Sequence, residues 1–90
     1  MIFTVFMTPR SRRQYEKMIR RQPGIQLQVD QLLAVLEKDP YNLTKYFDIK
    51  KLVDEQQGQW RIRSGNYRLR YDIDEEKIII QDVFDRKKGY

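Results

Sequence analysis

The sequence predicts an α+β domain in two layers, a helical hairpin packed on a four- to five-stranded antiparallel sheet in the order β-α-α-β-β-β. Three observations predict it. The chain opens on a β-branched and aromatic segment, residues 2–7. Two stretches of helical apolar spacing follow between Pro9 and Lys38. From residue 59 onward, apolar and charged residues alternate as strands require. A helix pair with one apolar face and a sheet with one apolar face bury each other best as two layers. The length of 90 residues fits a single domain, residues 1–90, with a small core.

Each element has its own signals. Thr8 and Pro9 end the first strand and open a helix, Thr as N-cap and Pro at the first helical position. That helix runs to about Arg21, with Tyr15, Met18 and Ile19 facing inward. Pro23-Gly24 breaks it, and a second helix runs from about Ile25 to Lys38 on the stripe Ile25, Val29, Leu32, Leu33, Leu36. Asp39-Pro40 stops it. Residues 46–53 read equally as a strand or as an extended connector, and Asp54 to Gly58 as a polar turn. Strands follow at about 59–64, 67–73 and 77–84, joined at Ser64-Gly65-Asn66 and Asp74-Glu75-Glu76.

The polar side of those strands is rich in arginine. Trp60 and Ile62 point one way, Arg61 and Arg63 the other; Tyr67, Leu69, Tyr71 and Ile73 share one face, Arg68 and Arg70 the opposite one. Four guanidiniums on neighbouring strands repel, and an anionic partner is the usual compensation. Nucleic acid is the commonest dense polyanion. The formal charge of +5, from 18 basic and 13 acidic residues, agrees in sign. Arg10, Arg12, Arg13, Arg20 and Arg21 read most simply as the solvated face of the first helix. Tyr67, Tyr71 and Trp60 fall on the apolar face and are expected in the core.

The absent residues restrict the chemistry. Without cysteine there is no disulfide and no thiolate metal site. Without histidine the commonest general base and metal ligand are missing. No metal and no cofactor are expected. The opening residues lack a basic leader and a long apolar run, and no stretch reaches membrane-spanning length, so a cytoplasmic protein without a membrane partner is the expectation.

Three segments resemble the RelE/ParE superfamily of small bacterial, archaeal and phage toxins. Asp48-Ile-Lys-Lys-Leu52 is similar to the family's lysine-leucine segment before the sheet. Trp60-Arg61-Ile62-Arg63-Ser64-Gly65-Asn66-Tyr67-Arg68-Leu69-Arg70-Tyr71 resembles its strand-turn-strand pattern of an aromatic, Arg-x-Arg, a Gly-containing turn and Tyr-Arg. Asp85-Arg86-Lys87-Lys88-Gly89-Tyr90 stands where the family ends in a basic cluster and a tyrosine. The resemblance implies a first strand beside the last, and an antitoxin protein whose helical or extended segment covers the basic face. For RelE-like members it implies metal-free endoribonuclease cleavage of mRNA, commonly in the ribosomal A site. There the 2′-hydroxyl attacks the adjacent phosphate and leaves a cyclic phosphate or 3′-phosphate end and a 5′-hydroxyl. ParE-like members share the fold but inhibit DNA gyrase, and a non-catalytic RNA- or protein-binding module is a third alternative.

By the same resemblance, Arg68 matches the strand arginine that grips the scissile phosphate. Arg86 matches the tail arginine that stabilises the transition state near the leaving oxygen. Tyr90 matches the terminal tyrosine that stacks on a base or orients the sugar hydroxyl. Two positions depart from the pattern. Arg61 and Arg63 stand where RelE-type members carry lysines; arginine binds phosphate but is a poor base. Asp85 replaces a histidine of many relatives, leaving it as the base or as the partner that orients Arg86. Lys50, Lys51, Lys87 and Lys88 are expected to attract RNA electrostatically.

Overall fold

The strand that opens the fold and the strand that closes it lie side by side. A computed structural model describes residues 2–85 and orders the elements as β1 (Thr4–Met7), α1 (Pro9–Arg21), α2 (Gln26–Lys38), β2 (Asp48–Lys51), β3 (Trp60–Ser64), β4 (Tyr67–Asp74) and β5 (Lys77–Asp85). One turn of 3-10 helix, Pro23–Ile25, precedes α2. The sheet order is β1-β5-β4-β3-β2. Residues 46–53 therefore contain a strand, and the sheet has five. Four strands form an antiparallel meander, while β1 pairs with β5 in parallel, Thr4 opposite Lys77 through Met7 opposite Ile80. The parallel pair departs from an all-antiparallel sheet for a simple reason. Every connection reverses the chain, and an even number of reversals separates β1 from β5.

The expected caps of α1 are present. The Thr8 hydroxyl accepts a hydrogen bond from the Ser11 amide at 3.1 Å, with Pro9 in the first turn. The two helices are tied together where the Tyr15 hydroxyl donates to Asp30 Oδ1 at 2.6 Å. The helices cover one face of the sheet. Val29, Leu32 and Leu36 of α2 pack on Ile62, Leu69, Tyr71, Ile78, Ile80 and Val83, with Tyr15, Met18, Trp60 and Tyr67 at the margin. The tyrosines and Trp60 thus pack on the core, as their phase requires. Tyr71 is wholly buried, donates to the Pro40 carbonyl at 2.7 Å and stacks on Trp60. Burial above all pushes its phenol well beyond the ordinary tyrosine range.

β5 carries a bulge. Arg70 faces Asp82 but Tyr71 faces Ile80, so Gln81 is an extra residue and the alternation changes phase. Ile78 and Ile80 before the bulge, and Val83 and Asp85 after it, are the buried residues. β1 covers the edge of β5 only as far as Ile80; beyond it α1 takes over, and Gln14 Oε1 accepts from the Val83 amide at 2.8 Å. That contact closes an otherwise open sheet edge. Among the described residues no helix is long and apolar enough to cross a membrane.

Candidate nucleic-acid interface

With Ile62, Leu69 and Tyr71 committed to the helix layer, alternation turns Arg61, Arg63, Arg68 and Arg70 to the opposite face. Register sets them in a grid. Arg63 stands opposite Arg68 and Arg61 opposite Arg70 across β3 and β4. On the other side of β3, Lys50 stands opposite Arg61 and Asp48 opposite Arg63. β5 contributes Phe84 opposite Arg68, and the Arg68 guanidinium lies over the Phe84 ring, 5.6 Å from its centroid. A guanidinium held over a ring is both attracted and oriented.

The expectation that these guanidiniums await an external anion needs correction, because the fold supplies part of the negative charge. Asp48 bridges two of them, accepting from Arg63 Nε at 2.8 Å and Arg61 Nη1 at 3.3 Å. The hydrogen bond from Arg63 is the main reason its carboxyl titrates below the usual range. Arg61 is only 8% exposed, so this bridge holds a nearly buried charge. Arg70 is tied to the loop between β2 and β3: it pairs with Glu55 at 3.0 Å and donates to the Gln57 and Gly58 carbonyls at 3.0 and 3.1 Å. The Asp72 carboxylate accepts from the Gly58 and Gln59 amides, both at 2.8 Å, and pins that loop onto β4. Gly58 is required there: its φ is +64° and a Cβ would meet Arg70 Nε at 3.1 Å. An open cleft of about 800 Å³ separates the loop from the start of α1, lined by Arg10, Arg13, Glu55, Arg70 and Asp82.

The predicted site residues divide as follows. Arg61, Arg63, Arg68 and Lys50 share the outer face. Lys51 does not; it pairs with Trp60 in register and its ammonium lies 5.7 Å from the Trp60 ring centroid, toward the helix side. Asp85 is also on the helix side, 5% exposed and opposite Tyr67. It lines a small cavity of about 260 Å³ with Gln14, Lys17, Met18 and Arg21. Arg68 and Asp85 therefore face opposite sides of the sheet. Arg86, Lys87, Lys88 and Tyr90 lie outside the described residues.

Sequence reasoning missed three participants: Asp48 as the shared carboxylate, Glu55 as the partner of Arg70, and Phe84 as the ring beneath Arg68. A signal for Asp48 was available, since Asp48-x-Lys50 continues the outward phase once residues 48–51 are read as a strand.

Comparisons with known proteins agree with this architecture. The family model described as the ParE toxin of type II toxin–antitoxin systems, parDE, matches residues 5–90. Among solved structures the chain is similar to one in the toxin–antitoxin complex RelBE2 from Mycobacterium tuberculosis, with 29% identity and a TM-score of 0.78, over 96% of this chain and 100% of that one. It is also similar in fold to one in the archaeal RelE–RelB complex from Pyrococcus horikoshii OT3, with 19% identity and a TM-score of 0.72, over 99% and 100% of the two chains. No curated protein matches.

Proposed function

The chain belongs to the ParE toxin family of type II toxin–antitoxin systems, within the RelE/ParE superfamily, and from that premise we propose that it is an endoribonuclease that cuts mRNA in the ribosomal A site. The observation that carries the reading is Arg68 seated over the Phe84 ring, one strand from Arg63 and two from Lys50. Cations interleaved with an aromatic ring on one half-buried sheet face suit a bent ribonucleotide backbone. A planar guanidinium reaches two phosphate oxygens at once, and its charge is fixed at every accessible pH.

In this reaction the 2′-hydroxyl oxygen attacks the adjacent phosphorus, its proton is removed, and the 5′-oxygen of the next nucleotide leaves with a proton. Arg68 holds the scissile phosphate and neutralises the charge that builds on it. Arg63 and Lys50 steer the flanking backbone, and the Asp48 bridge keeps Arg61 and Arg63 from repelling Arg68. Arg86 at the leaving oxygen and Tyr90 at the base or sugar complete the site by resemblance, with Lys87 and Lys88 supplying attraction. No metal or cofactor takes part. Asp85, buried beneath the sheet, is given a structural role at the root of the tail and no part in proton transfer. A cognate antitoxin protein neutralises the toxin by covering the arginine face.

The test is to add purified protein to translating ribosomes and map RNA ends. Codon-phased cuts with 5′-hydroxyl ends are expected. Arg68→Ala should lower the rate by a factor on the order of 10²–10³, the loss typical of removing one preorganised charge donor. Absence of cuts, or undiminished cutting by Arg68→Ala, refutes the reading. Inhibition of DNA gyrase is the second reading, favoured by the matching family description and by the carboxylates already neutralising Arg61, Arg63 and Arg70. A supercoiling assay separates the two.

A further inference from the structure

The loop from Tyr41 to Phe47 exposes large apolar side chains yet is tied down by side-chain hydrogen bonds. Tyr46 is 83% exposed and Leu43 81%. Asp39, nearly buried at the end of α2, accepts hydrogen bonds from the Leu43 amide at 2.7 Å, the Thr44 amide at 3.2 Å and the Thr44 hydroxyl at 2.6 Å. The Asn42 side chain brackets Phe47, donating to its carbonyl at 2.9 Å and accepting from its amide at 3.2 Å. Asn42 and Lys45 both take left-handed backbone angles, φ 57° and 61°. A lysine adopts that region only where its surroundings impose it. Tyr46 sits edge-to-face with Phe47, ring centroids 6.4 Å apart. The loop thus fixes a tyrosine in water that no core contact explains.

Charge indicates what it meets. Residues 41–51 carry Lys45, Lys50 and Lys51 against Asp48 alone. Tyr46 is two residues from Asp48, whose register partner is Arg63, so at most about 7 Å separates the Tyr46 Cα from the Asp48 Cα at the border of the arginine face. We propose that this loop is a base-stacking platform: the Tyr46 ring takes the face of an unpaired RNA base adjoining the backbone held over Arg63 and Arg68. The inference rests on the RNA reading above and adds a binding site on a different element. A fixed ring beside cations binds single-stranded nucleic acid without sequence readout, because every base has a π-face.

The experiment measures binding of a short single-stranded RNA, uncleavable through 2′-O-methyl groups, to the full chain and to Tyr46→Ala, Tyr46→Trp and Arg68→Ala. Tyr46→Ala should weaken binding by about tenfold, and Tyr46→Trp should restore it. An RNA with abasic sites should bind wild type and Tyr46→Ala equally. A photoreactive thiouridine in the RNA should cross-link to the tryptic peptide Tyr46–Lys50. The exposure of Tyr46 leaves the fold intact, and matched melting curves verify that. If wild type and Arg68→Ala both fail to bind, the functional reading falls. If wild type binds, Arg68→Ala weakens it and Tyr46→Ala does not, only the platform falls. A Tyr46→Ala defect confined to binding of an antitoxin protein overturns it too, since the loop would then be a protein contact.

Discussion

Replacing Asp48 by asparagine should weaken the fold and strengthen RNA binding at once. The bridge has two unequal halves. The Arg63 side chain is 36% exposed and Asp48 45%, so their contact is screened by water and contributes only about 0.5 kcal/mol. The Arg61 side chain is 10% exposed. Stripped of its carboxylate, it is left as a nearly buried charge, which costs about 1–2 kcal/mol even with asparagine's carbonyl still accepting. The sum, about 2 kcal/mol, lowers the melting temperature by roughly 8–16 °C for a domain of this size. The same change frees the partly exposed Arg63 guanidinium, while Arg61 stays inside. With Arg63 on a phosphate, the slope of log affinity against log salt for single-stranded RNA steepens by about 0.7, and affinity at low salt rises. Thermal melts and binding titrations across a salt series measure both quantities. An unchanged salt slope would refute the claim that Asp48 occupies a phosphate-binding arginine, and an unchanged melting temperature would refute the burial argument for Arg61.

Two further outcomes follow from buried hydrogen bonds. Tyr71→Phe removes the donor to the Pro40 carbonyl in a fully buried setting; urea unfolding should show a loss of about 1–2 kcal/mol with RNA cutting retained. Asp39 titrates below its ordinary 3.8: burial alone would raise it, but the Thr44 hydroxyl and the Leu43 and Thr44 amides together outweigh that. A depressed folded value means its stabilising effect is fully present above about pH 4 and is lost as the pH falls through the folded value, and Asp48 acts in the same direction. Urea midpoints followed from pH 6 to 2 should fall more steeply in wild type than in the Asp39→Asn, Asp48→Asn double variant; parallel curves would refute the assignment.

The helices were legible because their signals are local. Pro9, Pro23-Gly24 and Asp39-Pro40 punctuate the chain, and the apolar stripe of α2 needs no tertiary context. β2 was ambiguous because it is a four-residue edge strand, defined by pairing with β3 more than by its own composition. The arginine face was legible from alternation alone, but its internal counter-charges were not, since Asp48 sits in the stretch that reads as strand or connector and Glu55 in the polar turn after it, which alternation does not aim at any face. The position of Asp85 turns on one residue. Regular alternation from Ile78 and Ile80 would send Asp85 outward beside Arg68; the bulge at Gln81 reverses the phase, buries Asp85 and brings Phe84 to the arginines. The run Ile78-Ile79-Ile80 is apolar in either phase and so conceals the shift. The parallel pairing of β1 needed only the count of reversals along the chain.

That pairing bears on how the protein is made. Thr4 meets Lys77, about 70 residues further along, and at ordinary elongation rates the ribosome takes roughly 4–15 s to cover that distance. Throughout the interval the newborn helical hairpin has no finished sheet to rest on, and β1 waits for a neighbour not yet translated. The strands bearing Arg68 and Phe84 also emerge late. If the target is the translating ribosome, the order of synthesis itself keeps each nascent toxin harmless to the ribosome assembling it until the last strand is free.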